Sequence, residues 1–117
     1  MSQDSVLDTQ LLQQYYDSLG AEGLQATLTT FDQIIQSYAN MLHQAAQQNN
    51  EQQLRNQAHK VKGACNSVGL MTLAKLMEQL EKEAWDWPQA QQWLNQWTDA
   101  VEPHRHQLQQ WLEQQAY

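Results

Sequence analysis

A histidine, a lysine and a glycine stand close together near the middle of the chain, at His59, Lys62 and Gly63. Around them, apolar residues recur at steps of three and four, the spacing of the buried face of a helix: Leu54, Ala58, Val61, Cys65 and Val68. At about 100° per residue, His59 lies roughly 140° from the centre of that face, so its imidazole is predicted to face solvent. Lys62 and Gly63 lie on the same side of the helix, because residues three and four apart are neighbours.

An exposed neutral imidazole suits nucleophilic chemistry at physiological pH, and phosphorylation of its nitrogen gives a high-energy phosphoramidate. Such a site needs an accessible ring, a cation beside the transferred group and room for a second active site. His59, Lys62 and Gly63 meet these needs in that order. A glycine inside a helix costs about 1 kcal/mol relative to alanine, which indicates that something bulky approaches the histidine.

The charge distribution favours an anionic group as the one that binds beside His59. A net charge of −7 argues against nucleic acid, since phosphate backbones require basic patches. Yet Arg55, Lys60 and Lys62, three of the six basic residues, bracket His59. This local positive patch suits a negatively charged group arriving at the histidine, although three solvated charges on one helix face would give the same pattern.

With 117 residues, the chain has room for one helical core but not for a kinase or a two-domain enzyme. No apolar run approaches the roughly 18 residues of a membrane helix, and no signal peptide is recognisable. We therefore expect a cytoplasmic location without direct membrane contact. The single cysteine, Cys65, falls on the buried face and is predicted to be a core residue in a reducing compartment.

Helical spacing dominates and no alternating strand pattern occurs. Residues 1–6 are predicted to be a disordered lead-in or a cloning remnant, and residues 7–117 to form the domain. Capping and breaking residues predict the helices and turns in order: a short helix from Asp8 to Gly20, a long one from Glu22 to Gln48, a turn at Asn49-Asn50, the His59 helix from Glu51 to Val68 stopped by Gly69, a helix from Met71 to Ala84, and a last helix capped by Asp86 with Pro88 in its first turn.

The apolar residues of these helices predict an all-α fold, an antiparallel four-helix bundle with a short additional N-terminal helix. The apolar side of the long second segment is predicted to contain Leu24, Leu28, Phe31, Ile34, Ile35, Tyr38, Met41, Leu42 and Ala45. Pro103 lies within the last helix and should either kink or divide it; the continuous apolar phase favours a kink. The tryptophans are predicted to pack in the core and at the bundle edges.

The motif of His59-x-x-Lys62-Gly63-Ala64, followed by Val68-Gly69, resembles the signature of histidine-containing phosphotransfer (HPt) domains. Leu80-Glu81 is similar to the continuation of that signature on the next helix, and the order of helices resembles the family over nearly the whole chain. The resemblance implies that His59 accepts a phosphoryl group from the aspartate of a receiver domain. It then passes the group to the aspartate of a response regulator.

The resemblance also implies roles for the surrounding residues. Lys62 would neutralise phosphoryl charge, and Gly63 would leave room for receiver loops. Glu81 matches a position where the family often has a glutamine or glutamate facing the histidine, so it would orient the imidazole unless it is an ordinary surface charge. The candidates for contact with a receiver are Arg55, Lys60, Gly63, Ala64 and Asn66. Asn66 and Leu70 depart from the small residues common in the family, which affects the expected choice of partner.

We expect no bound cofactor and no metal in this domain, with Mg²⁺ supplied by the partner receiver, and a monomeric chain. No phosphate-binding loop occurs, so the chain is not expected to be an enzyme by itself. The resemblance implies a hybrid sensor histidine kinase as the parent protein, with this domain at its cytoplasmic end if that kinase is membrane-bound. Two alternatives stand: a helical bundle that binds receivers without transfer, and a hydrolase using His59 as general base. His43 is predicted to be a surface residue, and His104 and His106 point apart on a helix, which disfavours a metal site.

Overall fold

A computed structural model describes residues 6–115 and contains four helices: α1 (Thr9–Gln47), α2 (Glu51–Ser67), α3 (Met71–Lys82) and α4 (Trp87–Gln115). Each helix packs against two others in a closed ring, α1 and α3 each contacting both α2 and α4. Across the described residues there is no strand beyond one isolated bridge. The predicted four-helix bundle is therefore confirmed.

A break at Gly20 divides α1 into the two predicted helices. Gly20 has φ 73° and ψ 176°, a backbone conformation that L-residues with a side chain rarely adopt. The first turn is capped as predicted, because the Asp8 carboxylate accepts a hydrogen bond from the Leu11 amide at 3.1 Å. α1 therefore consists of the short first helix and the long second one, which meet at a kink at Gly20.

Two residues predicted on the apolar side of the long segment are instead exposed, Ile34 at 37% and Met41 at 46%. Both lie roughly 90–115° from the centre of the stripe formed by Leu24, Leu28 and Leu42, so they fall at its edge. They line shallow depressions between α1 and α2 rather than the core. The prediction was wrong for these two because hydrophobicity alone does not define the width of a buried face.

The residues before α1 hold the turn between α2 and α3. The Val6 carbonyl accepts from the Met71 amide at 3.0 Å, and the Asp8 amide donates to the Gly69 carbonyl at 2.8 Å. Gly69 has φ +75°, and a β-carbon there would lie 3.0 Å from the Leu12 side chain. Glycine is therefore required at this turn by both conformation and space. Of the expected lead-in, residues 1–5 lie outside the described residues.

The last two helices start and end close to the predicted residues. α3 ends at Lys82, two residues before the prediction, and Asp86 caps α4 by accepting from the Gln89 amide at 2.9 Å. α4 continues through Pro103, so the helix is not divided there. Pro103 is exposed, and water can therefore hydrate the carbonyl that loses its helical partner to the proline.

The core combines apolar residues from all four helices. Trp97 of α4 is 1% exposed, and the other four tryptophans are partly buried against the core, as predicted. Cys65 is fully buried, and its burial raises the pKa of the thiol to about 12. Between residues 6 and 115, no helix combines the length and apolar character that crossing a membrane requires.

Candidate functional site

His59 lies near the middle of α2 and its side chain is 66% exposed. The helix around it is fixed at its start by Asn50, whose side chain accepts from the Gln53 amide at 3.0 Å. The opposite face is buried as predicted, with no exposure at Leu54, Ala58, Val61 and Cys65. The imidazole therefore lies on the solvent side of a helix whose opposite face is packed into the core.

Glu81 of α3 joins this histidine to Lys62. Its Oε2 lies 2.8 Å from Nδ1 of His59, and its Oε1 lies 2.7 Å from Nζ of Lys62. The carboxylate is 20% exposed and the Lys62 side chain 17% exposed, so the pair is largely covered while the imidazole is open. The structure thus brings together the three residues to which the sequence assigned chemistry.

The charge on Glu81 decides the tautomer of the histidine. The hydrogen bond from Lys62, and to a lesser degree that with His59, lowers the pKa of Glu81 below its ordinary value. The carboxylate is therefore ionised near neutral pH and can only accept. It follows that Nδ1 of His59 carries a proton and donates it to Glu81. In the neutral ring the lone pair then resides on Nε2, the nitrogen farther from the backbone.

Gly63 lies one turn beyond His59 on the exposed surface of α2. A β-carbon built at this position would find no atom within 4 Å, so the packing of the domain does not require a glycine. Unlike Gly20 and Gly69, it does not have a positive φ. The missing side chain leaves open space beside the imidazole, consistent with the predicted approach of a second protein.

The remaining cations differ in how far they are engaged. Lys60 is exposed and forms no ion pair with the described residues. Arg55 is only 23% exposed and is held within the domain: its guanidinium donates to the Glu81 carbonyl at 2.8 Å and lies 4.5 Å from the Trp85 ring. Its contact with a receiver stays a prediction, whereas its contact with the end of α3 is a structural fact.

The other two predicted contact residues lie on different sides of α2. Asn66 is exposed and follows His59 by seven residues, which places it two turns along the same face. Ala64 is half-buried and lines a depression against Phe31 and Ile34 of α1. Of the two, Asn66 therefore has the free side chain, and Ala64 forms part of the α1–α2 boundary.

Gln57, which no motif in the sequence singled out, lies two residues before His59 on α2 and is only 5% exposed. Its Nε2 has no hydrogen-bond partner among residues 6–115. The signal that could have identified it is its position three residues after Leu54 and four before Val61, on the apolar stripe. A glutamine on that stripe is an exception, since buried polar groups are usually paired.

The other three histidines lie on α1 and α4, whereas His59 lies on α2. His43, predicted to be a surface residue, is half-buried and links α1 to α4, with its Nε2 3.2 Å from the Thr98 hydroxyl. Burial lowers the pKa of His104. In the part of the chain that the structure describes, no three residues of the metal-binding types cluster.

Comparison with known proteins places the chain in a family. A model of the Hpt domain matches residues 10–115. The aerobic respiration control sensor protein ArcB of Escherichia coli O157:H7 is 27% identical over 106 residues, and that of strain K12 is 26% identical. Each match covers 90% of this chain but 13% of the relative. The chain thus spans a small part of the curated relatives it matches.

Solved structures show the same fold. The histidine-containing phosphotransfer domain of ArcB from Escherichia coli superposes with a TM-score of 0.86 at 23% identity, covering 93% of this chain and 94% of that one. Its solution structure has the same TM-score at 22% identity. The sequence also predicts the similarity to the HPt domain of ArcB, and the segments that indicate it are residues 59–64 with 67–70, Leu11 to Tyr15, and Leu108 to Leu112.

The family match extends over nearly the whole chain, and the fold agrees with it. The histidine of the predicted motif is on the surface, as its chemistry needs. The chain therefore belongs to the Hpt domain family, the histidine phosphotransfer modules that work with receiver domains in phosphorelays and are not themselves kinases.

Proposed function

We propose that His59 carries the phosphoryl group on Nε2, receiving it from a receiver-domain aspartate and passing it to the aspartate of a response regulator. The observation that supports this most directly is the 2.8 Å contact between Nδ1 of His59 and Glu81, on a ring that is 66% exposed. It leaves the nucleophilic lone pair on the nitrogen that a partner can reach.

In the proposed step, the Nε2 lone pair attacks the phosphorus of a receiver aspartyl phosphate. The N–P bond forms as the P–O bond breaks, and the aspartate leaves as a carboxylate. The Nδ1 proton stays in place, so the ring gains positive character as phosphorus bonds to Nε2. Transfer to the next aspartate reverses these bond changes and leaves His59 neutral again.

Glu81 and Lys62 would each stabilise charge during this step. The carboxylate 2.8 Å from Nδ1 favours the positive character that develops on the ring, an interaction stronger in the transition state than in the free domain. Lys62 has further N–H donors beyond its 2.7 Å contact with Glu81, and these are proposed to meet phosphoryl oxygens. Phosphoryl transfer depends mainly on such positioning and charge stabilisation.

The partners follow from the same proposal. The receiver domain would supply the Mg²⁺ that phosphoryl transfer uses, and this domain would act as a monomer in the cytoplasm. The curated relatives are sensor proteins of which the matching segment is 13%, which supports a hybrid sensor histidine kinase as the parent protein. One receiver would then belong to that kinase and the other to a response regulator.

The test is incubation of the chain with a ³²P-labelled receiver domain and Mg²⁺. We expect label that is acid-labile and base-stable on the wild type and absent from His59→Gln. His106→Gln provides the matched control, since His106 is an exposed histidine on α4. Label on His59→Gln would overturn the assignment of the site. Binding of the receiver without any label would instead support an interaction-only bundle.

A further inference from the structure

A groove between α1 and α2 begins directly beside the histidine. It is lined by Met41 and Gln44 of α1 and by Gln53, Asn56, Gln57 and Lys60 of α2, among others. Asn56 and Lys60 also line the shallow depression that contains His59 and Glu81. The groove and the site of transfer therefore form one continuous surface.

The groove contains an unpaired hydrogen-bonding group. Gln57 is only 5% exposed, and its Nε2 has no hydrogen-bond acceptor among the described residues. Burying an amide without a partner destabilises a protein by about 1–3 kcal/mol, so such groups are uncommon. Rotation about the last side-chain bond, a broad twofold torsion, exchanges the amide nitrogen and oxygen and can turn the N–H groups into the groove.

The charge of the groove differs from that of the chain. The chain has 13 acidic and six basic residues, yet the groove lining contains Lys60 and no carboxylate. Lys60 forms no ion pair within residues 6–115. Amide donors and one free cation together favour an anionic hydrogen-bond acceptor. Met41, 46% exposed at the rim, adds an apolar contact for a protein surface.

Resting on the proposed function, we propose that this groove is a second docking contact for the receiver domain. It takes an acidic side chain of the receiver on the Gln57 amide and the Lys60 ammonium. The contact holds the receiver across α1 and α2 while its aspartate reaches His59. It contributes to affinity and partner choice, and it takes no part in the bond changes at Nε2.

The experiment measures transfer from the receiver domain that exchanges phosphoryl groups with the wild-type chain. We expect Gln57→Leu and Lys60→Ala each to raise the KM for that receiver about tenfold, the effect of losing one hydrogen bond to a charged group, with kcat unchanged. Lys75→Ala is the matched control, since Lys75 is an exposed lysine on α3 that lies outside the groove and forms no ion pair within residues 6–115. It should leave KM unchanged.

Unfolding measurements distinguish a loss of docking from a loss of folding in these variants. Because Gln57→Leu removes an unpaired amide from a buried position, its denaturation midpoint should equal or exceed that of the wild type. If the midpoint falls instead, Lys60→Ala and its control decide the question. A KM within twofold of the wild type for both groove variants would overturn the docking proposal. Failure of the wild type to accept label would overturn the proposed function instead.

Discussion

The Glu81 carboxylate acts on two side chains, one at each of its oxygens, and this defines the site at the scale of single residues. One oxygen fixes the tautomer of His59 and the other holds Lys62. The pairing explains why Lys62 is mostly covered although the sequence predicted a cation on the open face. Lys62 and His59 contact the same Glu81 carboxylate, so the lysine is held at that carboxylate while the imidazole remains open.

Removing the charge of Glu81 should slow transfer without unfolding the domain. Glu81→Gln keeps an oxygen acceptor but loses the negative charge that favours positive character on the ring. We expect the transfer rate at saturating receiver to fall about tenfold, in the range of a charge-assisted hydrogen bond. Circular dichroism should show unchanged helicity. A rate equal to that of the wild type would remove Glu81 from the mechanism.

The same variant should change the response to acid. The pKa of Glu81 is lowered in the folded state, so its stabilising effect is complete above its ordinary value of 4.5. It is lost as the pH falls through the lower folded-state pKa. The difference in free energy of unfolding between wild type and Glu81→Gln should therefore shrink as the pH is lowered from neutral to values below 4.5. Urea titrations at several pH values measure it, and parallel curves would contradict it.

At Gly63, the requirements of stability and of function are predicted to conflict. Because a β-carbon there meets nothing within 4 Å, Gly63→Ala should stabilise the domain by about 1 kcal/mol through helix propensity. The added methyl group stands where a receiver approaches His59, so the KM for the receiver should rise, and Gly63→Leu should raise it further. Denaturant unfolding and transfer kinetics measure the two effects. Faster transfer by Gly63→Ala would show that the space has no docking role.

At the scale of helices, local sequence signals predicted the ends and the exposed face of individual helices. They did not predict the contacts between helices. The caps at Asp8 and Asp86, the break at Gly20 and the exposed face of α2 follow from spacing and capping chemistry within each helix. The meeting of Glu81 with His59 depends on how α3 lies against α2, which periodicity does not define. Only the family resemblance indicated it. The engagement of Arg55 with α3 had no signal within its own helix.

Arg55 is expected to stabilise the end of α3. Its guanidinium donates to the carbonyls of Leu80 and Glu81 at 3.3 and 2.8 Å and stacks on Trp85. Arg55→Lys cannot reproduce the planar fork, so we expect the free energy of unfolding to fall by about 1–2 kcal/mol. Because Glu81 belongs to the same helix end, transfer should slow as well. Denaturant unfolding measures the first effect, and an unchanged midpoint would contradict it.

At the scale of the whole molecule, burial makes Cys65 a reporter of global unfolding. The thiol is fully buried and its pKa is raised to about 12, so little thiolate exists at neutral pH. We expect an aromatic disulfide reagent to react with the native domain only through unfolding. The reaction should accelerate with denaturant in step with the loss of helicity. Rapid labelling of the native protein would contradict the closed core, and no second cysteine complicates the signal.

The arrangement of the helices also separates substitutions that alter the docking groove from substitutions that alter the His59–Glu81 pair. His59 and Glu81 lie on two consecutive helices joined by the short turn at residues 68–70, whereas the groove beside them takes part of its lining, Met41, Gln44 and Ala45, from α1. Substitutions on the exposed face of α1 can therefore alter which partners bind while the paired imidazole and carboxylate keep their distance. A gene duplicate of such a carrier could acquire a new partner through substitutions on the surface of one helix, with the residues of its phosphotransfer site unchanged.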